Sequence, residues 1–122
     1  MTVVHQVSMF SPDIGHICNF YKELFGLEEG PVSDIYRSVV CENVSIGFHA
    51  EAAYGLLEME DLAETAGIRQ LITFQAATRD GVDALTDRAV SLGARLVNSQ
   101  SVTYYNQYQL VLSAPDKNIF RV

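Results

Sequence analysis

The side chains best suited to acid–base chemistry in this sequence are its three histidines, His5, His16 and His49. His49 lies in residues 44–50, where apolar and polar residues alternate as in a strand with one buried face, and it falls on the polar face. An imidazole titrates near neutral pH, so His49 is the candidate acid or base. A hydrogen-bonded structural histidine is the alternative. The sequence contains no Ser-His-Asp or Cys-His arrangement, phosphate-binding loop or zinc-finger spacing.

Aromatic side chains cluster at residues 104–108, YYNQY, which hold three of the six tyrosines of a chain without tryptophan. Aromatic rings with a polar tip suit a flat, conjugated ligand. Tyrosine is also enriched in sheets and in protein interfaces, so cross-strand pairing or a dimer contact is the alternative interpretation.

Length and charge limit the classes of function. The 122 residues suit one domain, and 48% hydrophobic with 19% charged residues is typical of a globular protein. The net charge is −7, and no run of Lys or Arg offers a surface for nucleic acid or anionic membranes. No signal-peptide pattern or membrane-spanning apolar run is found, so we expect a cytoplasmic protein.

The positions that hold these residues belong to strand and helix patterns that occur twice in the same order. In the first half, a helix at 12–25 follows a strand at 3–10 and precedes strands at 35–41 and 44–50. In the second half, a strand at 68–77 and a helix at 80–92 precede strands at 94–97, 102–112 and 118–122. This repeat predicts an α+β fold of two βαβββ modules in one domain, residues 1–122.

The connections between these elements carry further expectations. Ser11 is expected to cap the first helix and Gly26 to end it. The polar residues 98–101 are expected to form a turn. Residues 51–67, acidic and rich in helix formers, join module one (1–50) to module two (68–122) as a connecting helix or as a lid over a site.

Three short motifs resemble the glyoxalase/bleomycin-resistance/extradiol-dioxygenase superfamily, the vicinal oxygen chelate proteins. They are FYKELFGL at 20–27, SLGA at 91–94 and APDKN at 114–118. The resemblance covers nearly the whole chain. It implies two βαβββ modules whose mixed sheets curl into an open cup, and it implies a homodimer.

Metal-dependent members of that superfamily hold a divalent ion with one residue on the first and one on the last strand of each module. The matching positions here are Gln6, Gly47, Leu71 and Arg121. Glycine and leucine offer no donor atom, and Arg121 is positively charged, so we predict no metal and no other cofactor. A register shift of one residue would instead bring His5 or Gln70 to these positions, and His49 could act as a substitute ligand.

A cup without metal would be an organic-ligand pocket. Alternation along the strands predicts its lining: Gln6, Ser8, Phe10, Tyr36, Leu71, Thr73, Gln75, Tyr105 and Arg121. Arg121 would favour an anionic or carbonyl-rich ligand, unless it pairs with an acidic neighbour or solvent.

Three functions remain open. The first is a small-molecule-binding protein of resistance or sequestration type, which holds an aromatic or conjugated ligand. The second is an enzyme, a lyase or isomerase or a dioxygenase-like protein, either metal-dependent or using His49 and Tyr105. The third is a structural subunit whose cup is filled by residues 51–67.

Overall fold

A computed structural model of the chain describes residues 4–58, 60–63, 70–103 and 106–122. The chain divides into two compact units, which we call the N-terminal unit (1–66) and the C-terminal unit (67–122). Each unit is built around its own four-stranded sheet.

The N-terminal unit has the order strand, helix and three strands, followed by short helices. Its elements are β1 (Gln6–Phe10), α1 (Ile14–Phe25), β2 (Glu28–Glu29), β3 (Tyr36–Val40), β4 (Ser45–His49), α2 (Ala53–Leu56) and a 3₁₀ turn (Glu60–Leu62). The strand order is β1-β4-β3-β2. β1 is parallel to β4, and the other pairs are antiparallel.

The C-terminal unit repeats this topology. Its elements are β5 (Ile72–Thr73), α3 (Arg79–Ser91), β6 (Arg95–Val102), β7 (Tyr108–Ser113) and β8 (Ile119–Arg121). The strand order is β5-β8-β7-β6, with β5 parallel to β8. The predicted α+β fold of two βαβββ modules, each with a mixed sheet, is therefore confirmed.

Helix α1 forms the core of the N-terminal unit, because its apolar residues recur every three or four positions. Ile17, Tyr21 and Leu24 are buried on that face, and the Tyr21 ring stacks on Phe48 of β4 with centroids 5.6 Å apart. Gly26 ends the helix as predicted, at φ 65° with its N–H bonded to the carbonyl of Lys22. No helix within the described residues is long and apolar enough to cross a membrane.

The predicted cap of α1 was wrong. Asp13, and not Ser11, accepts a hydrogen bond from the backbone N–H of His16, at 3.1 Å. Ser11 is buried, and its own N–H bonds to the carbonyl of His49 at the end of β4. Ser11 therefore extends the pairing between β1 and β4, and the helix starts two residues later than a Ser11 cap requires.

The second module also differs from prediction at three places. One is the strand predicted at 102–112, since β6 ends at Val102 and β7 begins only at Tyr108. Residues 98–101 are not a turn: β6 runs without a break from Arg95 to Val102, with irregular pairing to β7 in that stretch. The reversal comes after it, where the N–H of Thr103 bonds to the carbonyl of Gln107 at 2.8 Å. The strand predicted at 68–77 is only Ile72–Thr73, and residues 68–69 lie outside the described part of the chain.

A charged cluster connects three elements of the N-terminal unit. Arg37 of β3 donates two hydrogen bonds to the Glu29 carboxylate, at 2.7 and 2.8 Å, and Lys22 of α1 donates a third at 3.0 Å. The Glu29 side chain is 19% exposed. These hydrogen bonds, from Arg37 above all, lower the pKa of Glu29 to about 2.

Replacing Glu29 with Gln is expected to lower the free energy of unfolding at neutral pH by about 1 kcal/mol, because charge-assisted hydrogen bonds are lost. Since the pKa of Glu29 falls from 4.5 to about 2 on folding, its contribution is complete above pH 4.5 and is lost as the pH falls through 2. The stability difference between the two proteins should therefore shrink over that range. Urea unfolding at several pH values measures it.

Glu28→Gln is the matched control, because Glu28 is an exposed neighbour on the same strand. An equal loss in Glu28→Gln, or a difference that does not change with pH, would contradict the role of the cluster.

Candidate functional site

One face of the N-terminal sheet brings together the predicted site residues of this unit. They are Gln6, Ser8, Phe10, Tyr36 and His49. Because residues opposite each other in a ladder share a face, Ser8 lies beside Gly47, and both Phe10 and Tyr36 lie beside His49. All five side chains are half-buried, so each remains partly accessible.

Three of these side chains form a hydrogen-bonded chain. The phenol of Tyr36 donates to Oε1 of Gln6 at 2.7 Å, and Nε2 of Gln6 donates to Oγ of Ser8. Both ends of the Gln6 amide are therefore oriented. Since Ser8 accepts from the amide, its hydroxyl proton can be donated to a ligand, and the phenol oxygen of Tyr36 can accept.

Gly47 makes this chain of hydrogen bonds sterically possible. A methyl group at Gly47 would lie 2.7 Å from Nε2 of Gln6, 2.8 Å from Oγ of Ser8 and 2.9 Å from the Tyr36 ring. These distances are shorter than any ordinary contact with a carbon atom. Only glycine at this position of β4 therefore allows the three side chains to meet over the strand.

Aromatic rings occupy the other end of the same face. The Tyr54 ring, from α2, lies flat on Phe10, with centroids 3.9 Å apart and planes at 8°. The His49 ring is 5.4 Å from Phe10 and 5.0 Å from Tyr36. Sequence patterns did not identify Tyr54 as a site residue. The only indication is that it is an aromatic residue within the acidic segment 51–67.

The C-terminal unit contributes a second group of predicted residues. Thr73 lies opposite Arg121, and Nε of Arg121 donates to its hydroxyl at 3.0 Å. Leu71 is 46% exposed and precedes the strand. Thr73 and Gln75 line a cavity of about 380 Å³.

The walls of that cavity combine amide and apolar groups. Gln107 and Gln109 add carboxamides to it, while Phe74 and Val82 add apolar surface. Carboxamides can both donate and accept hydrogen bonds, so this wall suits an uncharged polar ligand group.

The tyrosines of residues 104–108 divide into two cases. Tyr104 and Tyr105 lie outside the described residues, so the predicted role of Tyr105 stays a prediction. Tyr108 lines the cavity, but its phenol donates to Asp83 of α3 at 2.8 Å, and Arg79 lies 5.2 Å from its ring centre. The hydrogen bond with Asp83 raises the pKa of Tyr108.

Comparison with known proteins defines the family. The model of the glyoxalase/bleomycin resistance protein/dioxygenase superfamily matches residues 3–122. A glyoxalase/bleomycin resistance protein/dioxygenase family enzyme from Burkholderia phytofirmans PsJN has a similar crystal structure, with 36% identity, a TM-score of 0.95, and coverage of 98% of this chain and 96% of that one. The chain therefore belongs to this superfamily.

Two more distant structures share the fold. Lactoylglutathione lyase from Agrobacterium tumefaciens is 15% identical, with a TM-score of 0.76 over 100% of this chain and 92% of that one. A glyoxalase-related enzyme from Fulvimarina pelagi is 14% identical, with a TM-score of 0.79 over 99% and 86%. No match was found among the curated proteins.

The four residues that the sequence predicted at the superfamily's metal-ligand positions do not fit a divalent ion. In the N-terminal unit, Gln6 is hydrogen-bonded to Tyr36 and Ser8, and Gly47 has no side chain. In the C-terminal unit, Leu71 has no donor atom and Arg121 brings a cation. Among the described residues, no three His, Cys, Asp or Glu side chains form a cluster that could hold an ion.

Gly47→Ala is expected to lower the free energy of unfolding by about 1–3 kcal/mol, because the added methyl group overlaps Ser8 and the Tyr36 ring. Gly15→Ala is the control: its methyl group would come no closer than 3.6 Å to any neighbour, and alanine favours helix. Thermal unfolding of both variants measures the difference. A Gly47→Ala protein as stable as Gly15→Ala would contradict the close packing over Gly47.

Proposed function

We propose that this protein binds a small aromatic or conjugated organic molecule without a metal ion, as a resistance or sequestration protein would. The observation that supports this most directly is the joint presence of oriented polar groups and stacked rings on one sheet face. Gln6, Ser8 and Tyr36 supply hydrogen bonds, and Phe10 supplies an aromatic surface. Such a combination recognises a flat molecule that carries a carbonyl or hydroxyl group.

The cavity of the C-terminal unit supports the same class of ligand. Its volume of about 380 Å³ falls within the range of about 300–1,000 Å³ that small-molecule sites occupy. Thr73 and Gln75 line this cavity and carry groups that can form hydrogen bonds to a ligand.

Ser8→Ala is expected to weaken binding of flat carbonyl compounds by about tenfold, because one hydrogen bond to the ligand is lost and the Gln6 amide is released. The probes are hydroxynaphthoquinones and coumarins, first screened by thermal stabilisation and then titrated by calorimetry. Ser91→Ala is the control, since the Ser91 hydroxyl bonds to the carbonyl of Arg88 at the end of α3. If no probe stabilises the wild-type protein, or if both variants bind equally, this proposal is wrong.

The alternative function is an enzyme that acts on a carbonyl or vicinal-oxygen substrate. The observation that favours it is the position of His49, whose ring is 5.0 Å from that of Tyr36 on the same face. His49 would act as the acid or base, and Tyr105 is the second residue predicted for this role. The similar protein from Burkholderia phytofirmans PsJN is described as a family enzyme.

His49→Ala separates the two functions. If the protein is a binder, no turnover of carbonyl substrates should occur in the wild-type protein, with or without added Zn²⁺, Ni²⁺, Fe²⁺ or Mn²⁺. Turnover that His49→Ala abolishes, while His16→Ala retains it, would establish the enzyme instead. His16 suits the control because it is an exposed histidine on α1.

We further propose that the chain forms a single domain over residues 1–122, that it is a homodimer and that it is cytoplasmic. Support for the first comes from the superfamily match over residues 3–122. Sedimentation of the purified chain at several concentrations tests the homodimer.

A further inference from the structure

A close aromatic contact joins Phe10 to the segment after β4. The centroids of Phe10 and Tyr54 are 3.9 Å apart, whereas the stacked pairs within the core, Tyr21 with Phe48 and Tyr21 with Phe25, are 5.6 and 6.2 Å apart. Tyr54 therefore covers one face of the Phe10 ring.

The helix that carries Tyr54 is short and largely exposed. α2 contains four residues, one of them Gly55, and Ala52 at its start makes no side-chain capping bond. Leu56 is 71% exposed and Leu57 50% exposed. Helices this short are not stable by themselves, so α2 depends on its contacts with the sheet.

Two side chains of α2 are not exposed. Ala53 is buried, and Tyr54 is half-buried against Phe10. Immediately after the helix, Glu58 has a φ of 54°, which a residue with a side chain adopts at a cost. The stack on Phe10 is therefore one contact that holds α2 against the sheet.

We propose that the face of Phe10 is the stacking position for the flat ligand and that Tyr54 is its built-in competitor. Binding displaces the Tyr54 ring, and with it α2, from Phe10. The ring of the ligand takes the place of the Tyr54 ring on Phe10. The ligand also forms hydrogen bonds with Ser8 and Tyr36 on the same face. This inference rests on the proposed function, since it assumes that the ligand is flat and aromatic.

With a competitor, the apparent affinity equals the intrinsic affinity multiplied by the fraction of molecules in which the site is open. Removing it should therefore tighten binding. The stacking free energy of one aromatic pair corresponds to a change in affinity of between about twofold and tenfold.

The experiment compares wild type, Tyr54→Ala and Leu56→Ala, titrated with the hydroxynaphthoquinone and coumarin probes. We expect Tyr54→Ala to bind between about twofold and tenfold more tightly than wild type. We expect no change in Leu56→Ala, because this variant truncates an exposed side chain on the same helix. Equal or weaker binding by Tyr54→Ala would overturn the proposal, and weaker binding would identify Tyr54 as a wall of the site.

A second measurement does not depend on the stability of the variant. In the wild-type protein, the amide NMR signals of Ala53 and Gly55 should shift when a probe binds, because α2 leaves the sheet. Binding without such shifts would overturn the competitor role alone. Absence of binding to all three proteins would overturn the proposed function and this inference together.

Discussion

The arrangement of the candidate site depends on the close packing of three side chains over Gly47. In a sheet, a side chain on a middle strand normally separates the side chains of the two neighbouring strands on the same face. At Gly47, β4 has no Cβ atom. The side chains of Gln6 and Ser8 from β1 and of Tyr36 from β3 therefore meet over this position. A glycine inside a strand weakens that strand, and the hydrogen bonds of the three side chains offset this cost.

The opposite face of the same sheet explains why this close packing can be maintained. There Phe48 of β4 packs against Tyr21 of α1, and the cluster of Glu29, Arg37 and Lys22 connects β2, β3 and α1. Both features place the strands relative to the helix without using any side chain of the site face. The contacts between sheet and helix therefore lie on one face of the sheet, and the candidate site lies on the other.

Patterns that are local in the sequence predicted most of the fold. The three- and four-residue spacing of Ile17, Tyr21 and Leu24 predicted α1, and alternation predicted which residues of β1 share a face. Asp13 caps α1 because Ser11 pairs with the end of β4, a contact that no local pattern contains. In the same way, the polar residues 98–101 resemble a turn, but pairing with β7 keeps them in a strand.

The candidate site was less predictable, because its closest contacts join residues that are far apart in the chain. The sequence indicated that Gln6 and Ser8 share a face, but not that a tyrosine thirty residues away orients the Gln6 amide. It also contained no signal that Tyr54 stacks on Phe10. Residues that make such contacts follow no periodic pattern in the sequence, because their partners are determined by the tertiary fold.

The two modules differ at one equivalent position. Gly47 lies opposite Ser8 in the first module as Arg121 lies opposite Thr73 in the second, so a hydroxyl residue on the first strand faces the last strand in both. Opposite that hydroxyl, the first module has no side chain, and neighbouring side chains fill the space. The second module has a guanidinium there, which donates to the hydroxyl directly. Neither solution provides an anionic donor for a metal ion, and each instead leaves hydrogen-bonding groups oriented beside the strand. The same position of the repeated topology therefore carries different chemistry in each module: an empty space filled by neighbouring side chains in the first, and a cation bonded to a hydroxyl in the second.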